Sequence, residues 1–124
     1  MTKYIIISIG AIIGANARYL IGTWFADRGW TAFPWSTLTI NVTGSLILGF
    51  FLTLITERIV ADPNYRLLVA VGFCGSYTTF SSLMYESFGL TQNTSMWSGL
   101  FNLVGSMTLG MLATVIGVVL ARLI

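Results

Sequence analysis

The sequence predicts an all-α membrane protein, a single four-helix transmembrane domain over residues 1–124 whose third helix is broken at the bilayer midplane. Composition is the first observation behind that reading. Of 124 residues, 56% are hydrophobic and 8% charged, too few charges to clothe a water-soluble surface of this size. Segment length is the second. Apolar stretches at about residues 4–24, 36–56, 66–89 and 96–121 each hold about 20 residues or more, which is what a helix needs to cross a hydrocarbon core of ~30 Å. The third is an interruption inside the third stretch, where Gly72-Phe73-Cys74-Gly75-Ser76-Tyr77-Thr78-Thr79-Phe80-Ser81-Ser82 replaces the usual Leu, Ile and Val with glycines, hydroxyls and aromatics. A freed backbone group at membrane depth costs several kcal/mol unless protein, water or an ion satisfies it, so an interruption there points to a cavity or an ion site.

The first span has the outline of a signal peptide, with Lys3, an apolar run and Ala15-Asn16-Ala17. Because the apolar pattern resumes at Tyr19-Leu20-Ile21 and further spans follow, it reads as a retained helix. Its Gly10-x-x-x-Gly14 and Ala11-x-x-x-Ala15 spacings flatten one face for close helix approach. The turn to the second span is marked by Asp27-Arg28-Gly29 and Pro34, the next by Glu57-Arg58 and Asp62-Pro63-Asn64, and the last by Thr91-Gln92-Asn93-Thr94. None of these connections could hold a soluble domain, so the function is expected within the membrane. Trp24, Trp30, Trp35, Tyr65 and Trp97 fall near span ends, where an aromatic belt belongs.

The fourth span repeats small residues at Ser106-x-x-x-Gly110 and Ala113-x-x-x-Gly117-x-x-x-Ala121. Such faces serve packing within the chain or between chains. Four helices are few to enclose a pore, which favours use of at least one face between subunits. Four spans put both termini on one side. Lys3, Arg58, Arg66 and Arg122 then lie with the termini, against Arg18 and Arg28 opposite, a bias toward cytoplasmic termini weak enough to allow insertion both ways.

Chemistry has few candidate residues. There is no histidine and Cys74 is the one cysteine, so no internal disulfide and no ordinary N/S metal-ligand set exists. Glu57, Glu86, Asp27 and Asp62 fall at predicted span ends or in loops, which leaves general acid–base catalysis without a site and argues against an enzyme. The absence of a basic cluster argues against a nucleic-acid partner. Polar residues inside spans remain. Arg18 either snorkels to the headgroups or forms an anion-attracting vestibule. Asn41, about five residues into the second span, is either interhelical glue or part of a path. Ser98, Asn102 and Ser106 recur every four residues and line one helix face, which suits a track for a small polar solute. In the interrupted third span, broken half-helices present carbonyls to cations and amino ends to anions.

Gly10-Ala11-Ile12-Ile13-Gly14-Ala15-Asn16-Ala17-Arg18-Tyr19, Thr37-Leu38-Thr39-Ile40-Asn41-Val42-Thr43-Gly44, the Gly72 to Ser82 motif and Val104-Gly105-Ser106 together resemble the Fluc (CrcB) fluoride ion channels, in all four spans and in order. The resemblance implies an antiparallel, dual-topology homodimer in the bacterial inner membrane that exports fluoride passively through two pathways. It implies a structural sodium ion on the dimer axis, bound by the backbone carbonyls of Gly75 and Thr78. It also implies a fluoride pathway drawn from Asn41, Phe80, Ser81, the position of Leu83, Ser98, Asn102 and Ser106, with Arg18 at the vestibule. Two residues depart from the family pattern, Ser76 at a usual glycine and Leu83 at a usual phenylalanine. The second allows a heterodimer with a paralogue that supplies the missing ring, or a non-conducting paralogue. A small multidrug transporter is a further four-helix alternative, but it needs a glutamate in the first helix, which has no acid within residues 4–24.

Overall fold

A computed structural model describes residues 1–59 and 61–124. Among them the secondary structure is entirely helical: α1 (Thr2–Asp27), α2 (Trp35–Thr53), α3 (Pro63–Tyr65), α4 (Gly75–Tyr77), α5 (Phe80–Asn93) and α6 (Met96–Leu123), with wide π-helical segments at Leu54–Arg58 and Arg66–Cys74. Four helical stretches are long and apolar enough to cross a membrane: Thr2–Asp27, Trp35–Arg58, Pro63–Asn93 and Met96–Leu123.

The spans reach a few residues beyond the sequence-predicted limits because their ends are capped by side chains and turns. α1 continues to Asp27 and closes on a left-handed Gly29 (φ +72°), a conformation that costs glycine little. There the Gly29 N–H donates to the Ala26 carbonyl at 2.9 Å and the Trp30 N–H to that of Phe25 at 3.2 Å, which is the Schellman closure. α3 begins three residues before the predicted start. The Asp62 carboxylate accepts from the Asn64 N–H at 2.8 Å, and Pro63 occupies a first-turn position where its missing donor does no harm. Ser95 caps α6 by accepting from the Ser98 N–H at 3.1 Å.

Two glycine seams hold the bundle together. In one, α1 lies on the π-helical segment of the third span. A Cβ on Gly72 would sit 2.6 Å from the Ile7 carbonyl oxygen and 3.0 Å from the Gly10 Cα. In the other, α2 lies on α6, where a Cβ on Gly49 would sit 2.5 Å from the Thr114 carbonyl. Gly10, Gly14, Ala113, Gly117 and Ala121 are all buried. These small residues therefore make close contacts within one chain. The Ser106–Gly110 stripe reaches the edge of an open groove. Glu57 and Arg122 join the ends of spans two and four in a bidentate pair with both N–O distances at 2.9 Å. The outer surface is dominated by large apolar side chains such as Ile12, Phe101, Met107 and Met111, as expected of helices solvated by lipid.

Candidate functional site

The site is built where the third span stops being a helix. α4 ends at Tyr77, after which Thr78 (φ −77°, ψ 156°) and Thr79 (φ −148°, ψ 113°) are extended, and α5 restarts at Phe80. Extended residues withdraw from the helical ladder, so their polar groups need other partners. Asn41 on α2 supplies them. Its Oδ1 accepts from the Thr79 N–H at 2.8 Å and its Nδ2 donates to the Thr79 carbonyl at 3.0 Å, so one amide satisfies both backbone groups of one residue. The Thr78 N–H and hydroxyl both reach back to the Cys74 carbonyl, at 3.0 and 2.8 Å. Thr79 Oγ1 caps α5 by accepting from the Ser82 N–H at 3.2 Å. Thr79 N–H is the donor that an unbroken helix would have given to the Gly75 carbonyl. With that proton on Asn41, Gly75 keeps a carbonyl without its helical partner, on a residue that is itself exposed.

A groove of ≈360 Å³ runs beside this point, with Asn41, Thr79, Phe80, Leu83, Ser106 and Met107 in its wall. Five of the sequence-predicted residues thus meet: Thr78, Asn41, Phe80, Leu83 and Ser106. Phe80 is 70% exposed while Leu83 is 6% exposed, so the ring stands open at the groove and the leucine is buried in its wall. Ser81 is exposed, 3.4 Å from the Thr79 hydroxyl. The remaining residues lie elsewhere. Ser98 is tied to Ser95 at the start of α6 by a 2.9 Å hydroxyl contact. Asn102 is buried against α5, its Nδ2 donating to Ser87 Oγ at 2.9 Å, and Ser106 Oγ approaches its Oδ1 at 3.5 Å. The polar file on α6 is therefore closed by α5 at Asn102 and reaches the groove only at Ser106. Arg18 is half-buried on α1 and does not line the groove.

Three features escaped the sequence reading. Glu86 sits not at a span end but within α5, half-buried, where Thr37 Oγ1 donates to Oε1 at 2.8 Å and Oε2 is buried without a partner among the described residues. It borders a second cleft of ≈400 Å³ between α1 and α5, walled by Phe25, Trp30 and Phe33. The signal was present: Thr37 and Asn41 are one turn apart on α2, as Ser82 and Glu86 are on α5, so each helix carries a polar stripe, and Thr37 meets Glu86 between them. The second feature is Tyr77, 5% exposed, with its hydroxyl 2.8 Å from Thr43 Oγ1. The third is Ser76, whose hydroxyl lies 2.7 Å from the Gly72 carbonyl and 3.0 Å from the Ala11 carbonyl on α1.

Comparison with known proteins gives a consistent picture. The profile of the family described as "CrcB-like protein, Camphor Resistance (CrcB)" matches residues 5–118. The chain is 44% identical over 124 residues to a protein of Sulfurihydrogenibium sp. named "Fluoride-specific ion channel FluC", covering 100% of each. It is 43% identical over 120 residues to a protein of the same name from Solibacter usitatus, covering 97% of this chain and 98% of that one. With a third of that name, from Koribacter versatilis, it shares 55% identity over 85 residues, 68% of each chain.

Proposed function

Since this chain belongs to the CrcB-like family, we propose that it is a multi-pass membrane channel that carries fluoride out of the cell passively, across the bacterial inner membrane. The observation that carries the reading is the Asn41 clamp on Thr79, which holds an extended segment open beside the exposed ring of Phe80. Fluoride is small, hard and strongly hydrated, so a pore must replace its water with close donors: amide N–H, hydroxyls and the electropositive edges of phenyl rings. Phe80, Ser106 and the Asn41 amide are donors of these kinds around one groove, and Ser81 follows Phe80 in the chain. An inside-negative potential moves an anion outward by ~2.3 kcal/mol per 100 mV, so no coupled ion is required. Arg18 serves at the vestibule, drawing the anion toward the entrance, and Ser106 is where the polar residues of α6 meet the groove.

The groove is open on one side in a single chain, and a ring exposed at its lip needs a cover that excludes lipid and water. An antiparallel homodimer supplies that cover, each copy closing the other's groove. Sodium fits the seat at the break: the oxygen donors are hard carbonyls, and Gly75 carries one that has lost its helical hydrogen bond. The carbonyls of Gly75 and Thr78 would hold it, and a fixed cation there supplies positive potential for an anion path. Leu83 supports a second reading. Packed where the family pattern has a phenylalanine, it leaves a wall with one ring, and pairing with a paralogue carrying both rings would restore the second.

Fluoride efflux from proteoliposomes loaded with potassium fluoride, started with valinomycin and read by a fluoride electrode, tests the proposal. Efflux well above that of protein-free liposomes is expected of the purified chain. Efflux equal to the protein-free control overturns the homodimer, and efflux restored only by adding a paralogue establishes the second reading.

A further inference from the structure

We infer that Tyr77 is a positioning residue for the carbonyls at the break, and that it acts through its phenol on Thr43. The inference rests on the reading of Gly75 and Thr78 as a cation seat.

Tyr77 lies between the two seat residues in sequence and occupies the last turn before the backbone becomes extended. A phenol at such a depth must find a partner. Thr43 Oγ1 is 2.7 Å from the Thr39 carbonyl one turn back along α2, so its own proton is engaged there. The 2.8 Å contact between the two hydroxyls is therefore a donation from Tyr77 to Thr43. This proton path fixes direction as well as distance: Tyr77 to Thr43 to the α2 backbone. The ring is held on its other side by Phe73, stacked at 5.3 Å between centroids with 14° between planes. Gly44 gives the pair room, since a Cβ there would lie 3.1 Å from Tyr77 Cδ1.

α2 therefore grips the break at two points. Asn41 holds Thr79 after the extended residues, and Thr43 holds Tyr77 before them. A single grip would leave the Gly75 to Thr78 stretch free to turn about it, whereas two grips on one rigid helix set where both carbonyls point. Ser76 adds a contact to the Ala11 carbonyl on α1, so residues either side of the seat's centre are tied to different spans. None of these side chains offers its own oxygen to the seat. Their role is to hold backbone, and the chemistry of the seat is left to the carbonyls.

The test compares wild type with Tyr77→Phe, Thr43→Val, Thr43→Ser and the Tyr77→Phe/Thr43→Val double variant. The melting temperature of purified protein in detergent is followed as sodium chloride replaces choline chloride, and fluoride efflux is measured alongside. Tyr77→Phe keeps the stacked ring and removes only the donor. It should raise the sodium concentration at half of the sodium-dependent melting shift by about tenfold, the order expected for one lost hydrogen bond. Thr43→Val should match it, the double variant should be no worse than either single one, and Thr43→Ser should return to wild type. A Tyr77→Phe midpoint within twofold of wild type overturns the positioning role alone. A wild type whose melting is indifferent to sodium overturns the seat, and the positioning role with it. Should Tyr77→Phe fail to fold, Thr43→Val interrogates the same bond from the other side.

Discussion

Asn41→Ala is the most demanding substitution for this account, because a single truncation unpairs two backbone groups at once. The Asn41 amide accepts from the Thr79 N–H at 2.8 Å and donates to the Thr79 carbonyl at 3.0 Å, and Thr79 is buried. Leaving a buried donor or acceptor unmade costs about 1–3 kcal/mol. Asn41 itself is half-buried, so water admitted by the truncation recovers part of that penalty. Taking the lower bound for both groups gives roughly 2 kcal/mol, or about a thirtyfold shift against the extended conformation. Fluoride efflux from proteoliposomes should fall at least tenfold, with a lower melting temperature in detergent. Asn41→Asp separates the two bonds, since a carboxylate keeps the acceptor for the Thr79 N–H and loses the donor to its carbonyl; its melting temperature should fall between wild type and alanine. An Asn41→Ala protein that releases fluoride within twofold of wild type would refute the claim that this clamp shapes the site.

Three other substitutions probe different parts of the molecule. Leu83→Phe should speed efflux severalfold in the same assay by adding a ring edge to the groove wall, and an unchanged rate would remove the case for a paralogous partner. Gly49→Val should abolish a monodisperse elution profile, because the new Cβ would lie 2.5 Å from the Thr114 carbonyl and backbone cannot give way cheaply; a normally eluting variant would disprove the second glycine seam. Arg122→Gln breaks a pair whose side chains are 58% and 44% exposed. Ion pairs so exposed are screened and contribute little, so efflux and melting temperature should match wild type, and a clear loss in either would give the pair a structural role.

The four spans could be read from the sequence because membrane solvation is written in composition and length, properties that need no partner to be seen. The ends were less legible, as they depend on caps such as Asp62 and Ser95 whose effect is a matter of local geometry. The break was visible as an anomaly at Gly72 to Ser82, but its mechanics were not. That Asn41 binds the backbone of Thr79 is a contact across 38 positions, and no spacing within either helix announces it. Asn102 makes the same point in reverse. Its spacing with Ser98 and Ser106 suggested a continuous polar track, yet the facing Ser87 closes it, and Ser87 lies on another span. Glu86 was misjudged because the predicted span stopped at residue 89, whereas the helix runs to Asn93 and carries the carboxylate inside.

The two glycine seams couple spans one with three and two with four, so neither is a pairing of immediate neighbours in the chain. During synthesis the second helix must wait in the lipid until the fourth has emerged, with the close-packing surface of Gly49 uncovered. Until then it is held only by its contacts with spans one and three, Asn41 on Thr79 and Thr43 on Tyr77 among them. The few cations of the first loops act on orientation before the seam between spans two and four can close. Once the seams close, turning the bundle over would require drawing Lys3, Arg58, Arg66 and Arg122 through hydrocarbon together, and whichever direction was taken at the translocation step becomes permanent.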